Sequence, residues 1–241
     1  MNTVLKIASL LLSYPTQELK EAVPAIRAAL GEDARLDARA RDRLVRLADD
    51  IGRLDLYDAQ ERYVHLFDRT RTLSLHLFEH VHGESRDRGQ AMVDLMQMYE
   101  AQGLEIDAKE LPDYLPLFLE FLSMLPEAEA QDLLGQVGHI VSALKERLRK
   151  RRSVYAGAFV ALEALAQGAA DGKLLRELLD APEDDPDDLE ALDRVWQEEA
   201  VTFGGNAGEN ACGPDRLRTR MRAASRDVGR DAAARAEPPA A

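Results

Sequence analysis

Three of the chain's five histidines fall in one short stretch, at His76, His80 and His82. With Glu79 among them, residues 76–80 read His-Leu-Phe-Glu-His, the H-x-x-E-H order of the inverted zinc-peptidase motif. On a helix, His76 and His80 would stand one turn apart on one face and could share a zinc ion, with Glu79 as general base. That chemistry needs a third ligand, and the sequence marks none. His82 is near, but Gly83 ends or bends a helix there. The pattern has few fixed positions and matches many chains by chance. The plainer reading has the histidines packing and hydrogen-bonding at a helix end. No catalytic residue, bound metal or cofactor is expected, and a zinc hydrolase using His76, Glu79 and His80 stands as the alternative from another functional class.

Directly after Gly83 come Glu84, Arg86, Asp87 and Arg88. Charges this dense at a helix start can cap backbone groups, pair with one another or reach a partner. Internal pairing that ties two helices together is the plainer outcome. Further on, Leu111, Leu115, Phe118, Leu122 and Leu125 form a helical stripe that Leu119 and Phe121 widen. Such a helix is either central and packed on several sides, or it turns one side to an open groove for an amphipathic peptide. Asp113 is its expected N-cap. Pro116 then falls at the third helical position, where the missing N–H has no intrahelical partner to lose.

The elements that must position these residues are helical almost throughout. Leu44, Leu47, Ile51 and Leu54 recur at three- and four-residue steps behind Asp37, a candidate cap. Leu56, Tyr63 and Phe67 follow behind Asp55. The longest stripe, Leu133, Val137, Ile140, Leu144 and Leu148, begins among Glu127, Glu129 and Asp132 and closes at Lys150, Arg151 and Arg152. Acid first and base last suits the helix dipole. Another helix is expected from Ser153 to Gly168. Tyr14-Pro15, Gly31 and Gly103 are expected to end helices, and Leu111-Pro112 to open a segment. No run of alternating β-branched residues is evident, so the expected fold class is all-α, a compact multi-helix bundle.

Residues 183–190 read EDDPDDLE, a solvated, flexible connector that leads to a helix containing Leu192, Val195 and Trp196. Loop sequence follows Phe203, and residues 215–241 are rich in Arg and Ala, with seven Arg against four acids, +3. The expected organisation is one helical domain over residues 1–205, then a loop and a disordered tail over 206–241.

The net charge is −13, from 31 basic and 44 acidic side chains, which leaves about −16 on the body before the tail. Phosphate backbones repel such a chain at long range, so nucleic acid is not an expected partner, whereas a basic peptide is. The lone Cys212 permits no intrachain disulfide or multi-cysteine metal site. Val4 to Leu12 is apolar but is interrupted by Lys6 and lacks a small-residue cleavage site, so no secretory signal is expected. No stretch is long and charge-free enough to span a bilayer. The expected location is the cytoplasm.

Several segments together carry a family resemblance. Residues 78–92, FEHVHGESRDRGQAM, resemble the signature of NarJ-type nitrate reductase delta-subunit chaperones. Residues 11–15 (LLSYP), 63–68 (YVHLFD), 110–122 (ELPDYLPLFLEFL) and 198–205 (EEAVTFGG) resemble other motifs of that family. The chain lacks the Glu-Pro-x-Asp-His type motif of the related TorD branch, so that branch's residue roles do not transfer. The resemblance implies an all-helical, TorD-like architecture and a protein that is not an enzyme. It implies binding of the apo catalytic subunit of respiratory nitrate reductase, chiefly its N-terminal segment. The client is kept competent for molybdenum-cofactor insertion and metal-centre assembly before membrane docking, and the chaperone leaves before the mature enzyme works. A chaperone for a related molybdoenzyme, such as a selenate or perchlorate reductase, is the runner-up. The residues expected to meet the partner are His80, His82, Glu84, Arg86, Asp87, Arg88, Asp113, Tyr114, Leu115 and Phe118. No Gly-rich phosphate loop or basic pocket is evident, so the molybdenum cofactor is expected to contact the client more than this chain.

Overall fold

Stripes spaced at three and four residues are buried when helices pack against other elements, and in a computed structural model those elements are other helices. The structure describes residues 2–81, 86–104, 106, 110–166, 168–183 and 185. Among them are ten α-helices: α1 (Thr3–Leu12), α2 (Gln17–Glu32), α3 (Ala38–Arg53), α4 (Leu56–Phe67), α5 (Arg86–Ala101), α6 (Leu115–Met124), α7 (Glu127–Gln136), α8 (Gly138–Lys150), α9 (Ala156–Leu165) and α10 (Gly172–Asp180). Two 3-10 turns, Arg71–Leu73 and Leu77–Glu79, lie between α4 and α5. Among the described residues there is no strand, only an isolated bridge between His76 and Tyr114. The all-α fold class expected from periodicity is the one observed. The described helices belong to one unit, Met1–Gln197. The helix expected around Trp196, the motif at 198–205, Cys212 and the Arg/Ala tail lie outside the described residues.

Side-chain caps start several helices, because the first N–H groups of a helix lack internal partners. Asp37 accepts from the Ala40 N–H at 2.7 Å and Asp55 from the Tyr57 N–H at 2.9 Å, as their positions before α3 and α4 suggested. Asn2, Thr16 and Asp171 do the same for α1, α2 and α10.

α1 and α6 are apolar around most of their circumference and sit at the centre. They run antiparallel, tied at three levels. The Asn2 N–H donates to the Ser123 carbonyl at 2.6 Å, Lys6 pairs with Glu120, and the Ser9 hydroxyl donates to the Pro116 carbonyl at 2.7 Å. α3 and α9 approach closely enough that a Cβ on Gly157 would lie 2.7 Å from the Arg43 carbonyl oxygen. Only glycine fits there, since the obstacle is backbone.

Three boundaries differ from the sequence reading. The single helix expected from Glu127 to Arg152 breaks at Val137 (φ −95°, ψ 7°) into α7 and α8. Gly135 and Gly138 flank the break and weaken helix propagation, so α7 turns to bury Ala130 and Leu134 and leaves Leu133 and Val137 half-buried. Gly31 lies inside the last turn of α2, which ends one residue later. Asp113 is not the cap of α6: Tyr114 holds that position, and Pro116 is the second helical residue. The Asp113 side chain is used elsewhere, as described next. Gly103 does end α5, at φ +77°, where the left-handed backbone suits a residue without a Cβ.

Candidate functional site

The segment from Arg71 to Val81 contributes no long helix, so its backbone groups need partners from elsewhere. Asp113 supplies them from one side. Its carboxylate has no exposed surface; Oδ2 accepts the Phe78 N–H at 3.0 Å, and Oδ1 lies 3.1 Å from Nδ1 of His76. The Leu77 N–H donates to the Asp113 carbonyl at 3.0 Å, and the Leu115 N–H to the Leu75 carbonyl at 2.8 Å. Arg147 of α8 supplies the other side. It is 3% exposed, donates through Nη1 to the Thr72 carbonyl at 2.8 Å, and reaches the Leu178 carbonyl of α10 through Nη2. A buried anion and a buried cation thus grip one irregular segment through charge-assisted hydrogen bonds.

The H-x-x-E-H stretch is therefore not the helix that metal sharing would need. Leu77–Glu79 is a 3-10 turn, Nδ1 of His76 faces Asp113, and Nε2 of His80 lies 2.8 Å from the Ser74 carbonyl. Among the described residues no group of three or more His, Cys, Asp or Glu side chains is placed to hold a metal ion. The two imidazoles have opposite electrostatics. The hydrogen bond to Asp113 raises the His76 pKa above its usual 6.5 against the opposing effect of burial. Burial lowers that of His80, with the Arg147 charge adding to the effect. A neutral His80 donates its Nε2–H to Ser74.

Next to this clamp lies an aromatic surface. The Tyr63 hydroxyl donates to the Leu12 carbonyl at 3.0 Å, so the Tyr114 hydroxyl, 2.8 Å away, donates to Tyr63. Burial pushes the Tyr114 hydroxyl up to about 12, so it remains a donor at neutral pH. The Tyr114 ring lies 5.5 Å from that of His76, and half-exposed Tyr14 meets Tyr63 edge-on at 5.6 Å. Two more exposed apolar side chains belong to the same segments, Val81 and Leu111. Asp68 and Glu110 add negative charge: both act on Tyr114, and burial together with Glu110 raises the Asp68 pKa, with His76 opposing.

Of the residues expected to meet a partner, Tyr114 is half-buried at this surface, and His80 is half-buried behind it. Asp113, Leu115 and Phe118 are buried: Leu115 is 0% exposed and Phe118 4%, so both rest in the core rather than on an open groove. Arg88 is paired with Glu79 at 3.6 Å, which ties α5 to the 3-10 turn. Arg86 and Asp87 open α5, with side chains outside the description, and His82 and Glu84 lie outside the described residues. Tyr63, Asp68, His76 and Glu110 join this site without standing out in the sequence as partner-binding residues. Their only signal was membership in the motifs at 63–68 and 110–122 and in the histidine cluster.

Residues 16–161 match the family described as nitrate reductase delta subunit. The chain is 44% identical over 226 residues to the nitrate reductase molybdenum cofactor assembly chaperone NarJ of Escherichia coli (strain K12), across 90% of this chain and 91% of that one. It is 41% identical to the probable nitrate reductase molybdenum cofactor assembly chaperone NarW of the same organism, across 93% and 94%. The probable chaperone NarJ of Bacillus subtilis (strain 168) is 32% identical over 148 residues, 61% of this chain and 79% of that one. Among solved structures, a putative redox enzyme maturation protein from Archaeoglobus fulgidus is similar over 68% of this chain and 91% of its own, at 22% identity and a TM-score of 0.48. No described helix is long and apolar enough to cross a membrane.

Proposed function

Because this chain belongs to the nitrate reductase delta subunit family, we propose that it is a dedicated assembly chaperone for a nitrate reductase. It acts by binding and performs no covalent chemistry. Its client is the apo catalytic subunit, gripped chiefly by the N-terminal segment in the cytoplasm. The client is held competent for molybdenum-cofactor insertion and metal-centre assembly, kept from docking at the membrane meanwhile, and released before the mature enzyme works. The observation that carries this reading is the 44% identity to a nitrate reductase chaperone across nine-tenths of both chains.

The site's chemistry supports it. Tyr14, Tyr114, Leu111 and Val81 offer apolar surface, and Asp68 and Glu110 offer negative charge. A peptide helix with apolar and basic side chains on one face matches both. In this reading Tyr114, His80, His82, Glu84, Arg86, Asp87 and Arg88 meet the client. Asp113, Leu115 and Phe118 act from beneath by fixing the segment and helix that carry that surface.

The test is capture of the tagged full chain from anaerobic, nitrate-grown cells. The expected co-purifying protein is the catalytic subunit in its molybdenum-free form, and a strain lacking the chaperone should accumulate that form. Capture of another molybdoenzyme's subunit reassigns the client. No capture, with normal molybdenum loading in the deletion strain, overturns the reading.

A further inference from the structure

The close packing of α3 on α9 at Gly157 leaves a groove beside it of about 500 Å³. Its floor is apolar and small, formed by buried Ala156 and half-buried Val160, with exposed Ala164 at its edge. Its walls are cationic. Arg39, Arg43 and Arg46 stand at steps of four and three, so they share one face of α3, and Lys145 and Arg149 of α8 also line the groove. Only two carboxylates line it, and both are engaged. Asp37 caps α3, and Glu163 binds Lys145 at 2.6 Å. Arg39, Arg43 and Arg46 are exposed and form no ion pair among the described residues. A second cavity continues from Arg46 along α3, where Asp49 binds Arg27 at 2.8 Å. Lys145 is bound to Glu163 and Arg149 to Glu146, so on a chain of net charge −13 the three arginines of α3 are the positive charge of this groove left without an ion pair among the described residues.

We propose that this groove docks an acidic, amphipathic helix of a partner protein. The helix sets small apolar side chains on the floor and carboxylates against the arginines of α3. The proposal does not rest on the chaperone reading. Arginine favours planar, bidentate partners such as carboxylates, and a concave apolar floor between basic walls suits a helix. From Arg39 to Arg46 the unpaired positive face of α3 runs about 10 Å, two helical turns, more than one small anion needs. The groove lacks the Gly-rich loop that cradles phosphate. A flat lipid surface does not reach a recessed floor, and the overall negative charge repels a long nucleic acid.

The probe is a labelled, end-blocked peptide of about 14 residues, with Glu and Ala/Leu at helical spacing. It is compared with an isomer of the same composition whose apolar face is scrambled. Fluorescence anisotropy with the full chain should show binding of the amphipathic peptide, despite the repulsive net charge, and binding at least about fivefold weaker for the isomer. Arg43→Glu with Arg46→Glu should weaken binding at least about tenfold, and the milder Arg39→Gln with Arg46→Gln about threefold. Circular dichroism melting confirms that each variant is folded, and the milder pair keeps the test decisive if the reversal disturbs α3. Lys173→Glu, an exposed change on α10, should leave affinity unchanged. No binding, no response to either arginine pair, equal affinity for the scrambled isomer, or an equal loss with Lys173→Glu each overturns the proposal. Displacement of the peptide by equimolar inorganic pyrophosphate, or by phosphatidylglycerol vesicles, overturns it in favour of a phosphate or membrane site.

Discussion

His76 and Asp113 meet at 3.1 Å, the imidazole Nδ1 against a carboxylate with no exposed surface. The second carboxylate oxygen and the main-chain carbonyl of Asp113 take the Phe78 and Leu77 N–H groups. One residue thus holds three consecutive residues of a segment that has little secondary structure of its own. Asp113→Ala should strip these side-chain bonds and leave a buried N–H unpaired. The expected cost is about 3 kcal/mol, read from urea unfolding. Asp113→Asn should cost less, because its amide oxygen still accepts from Phe78. A loss below about 1 kcal/mol for Asp113→Ala would show that the segment holds itself.

The two histidines should titrate apart. His76 is raised by its bond to Asp113, so the folded state holds that proton more tightly than the unfolded state does. Its contribution is full below the unfolded value of 6.5 and disappears as pH rises through the folded value. His80 is lowered by burial, so its contribution is full above 6.5 and disappears as pH falls through its folded value. NMR titration should place the His76 midpoint above 6.5 and the His80 midpoint below it. His76→Gln should destabilise most below pH 6.5 and progressively less as pH rises through the folded His76 value. The opposite order of midpoints would contradict the hydrogen-bond assignments.

What the chain reveals by itself follows from how local each interaction is. Asp37 and Asp55 cap helices a few residues away, so their roles were readable from position. Asp113 also precedes an apolar helix and looks like a cap, yet its partners lie 35 and 37 residues upstream. The break at Val137 was hidden because the apolar period runs through it; packing, not period, selects Ala130 and Leu134 for the core. α10 is not legible in the sequence although Leu174 and Leu178 lie one turn apart, since its short stripe stands beside an acidic connector. Arg39, Arg43 and Arg46 share a helical spacing, but nothing local shows that the fold brings Lys145 and Arg149 into the same groove.

Gly157→Ala should destabilise the protein by about 2 kcal/mol, because the new methyl meets the Arg43 carbonyl at 2.7 Å and backbone cannot yield as a side chain does. Thermal melting checks this, with Gly89→Ala as control, since nothing lies within 4 Å of a Cβ there. Equal melting temperatures for the two would mean that α3 and α9 separate at little cost.

Tyr114 and Phe118 lie one helical turn apart but face different surroundings, which allows the client surface to be told from the core. The Phe118 ring is 4% exposed, so Phe118→Ala should cost about 3–5 kcal/mol of stability through the cavity it leaves. Tyr114 is half-buried and its hydroxyl binds Tyr63, so Tyr114→Phe should cost about 1 kcal/mol. Tyr114→Ala should weaken binding of the catalytic subunit's N-terminal peptide about tenfold, measured by calorimetry on folded protein. Peptide binding by the unaltered chain should show a negative heat-capacity change from apolar burial, insensitive to salt. A charge-dependent part should weaken as salt rises, and Glu110→Gln should reduce it. If neither Tyr114→Ala nor Glu110→Gln changes affinity, the client does not use this surface. The segment after Gly83 is then the next to test, with Glu84 and Asp87 the first carboxylates to neutralise.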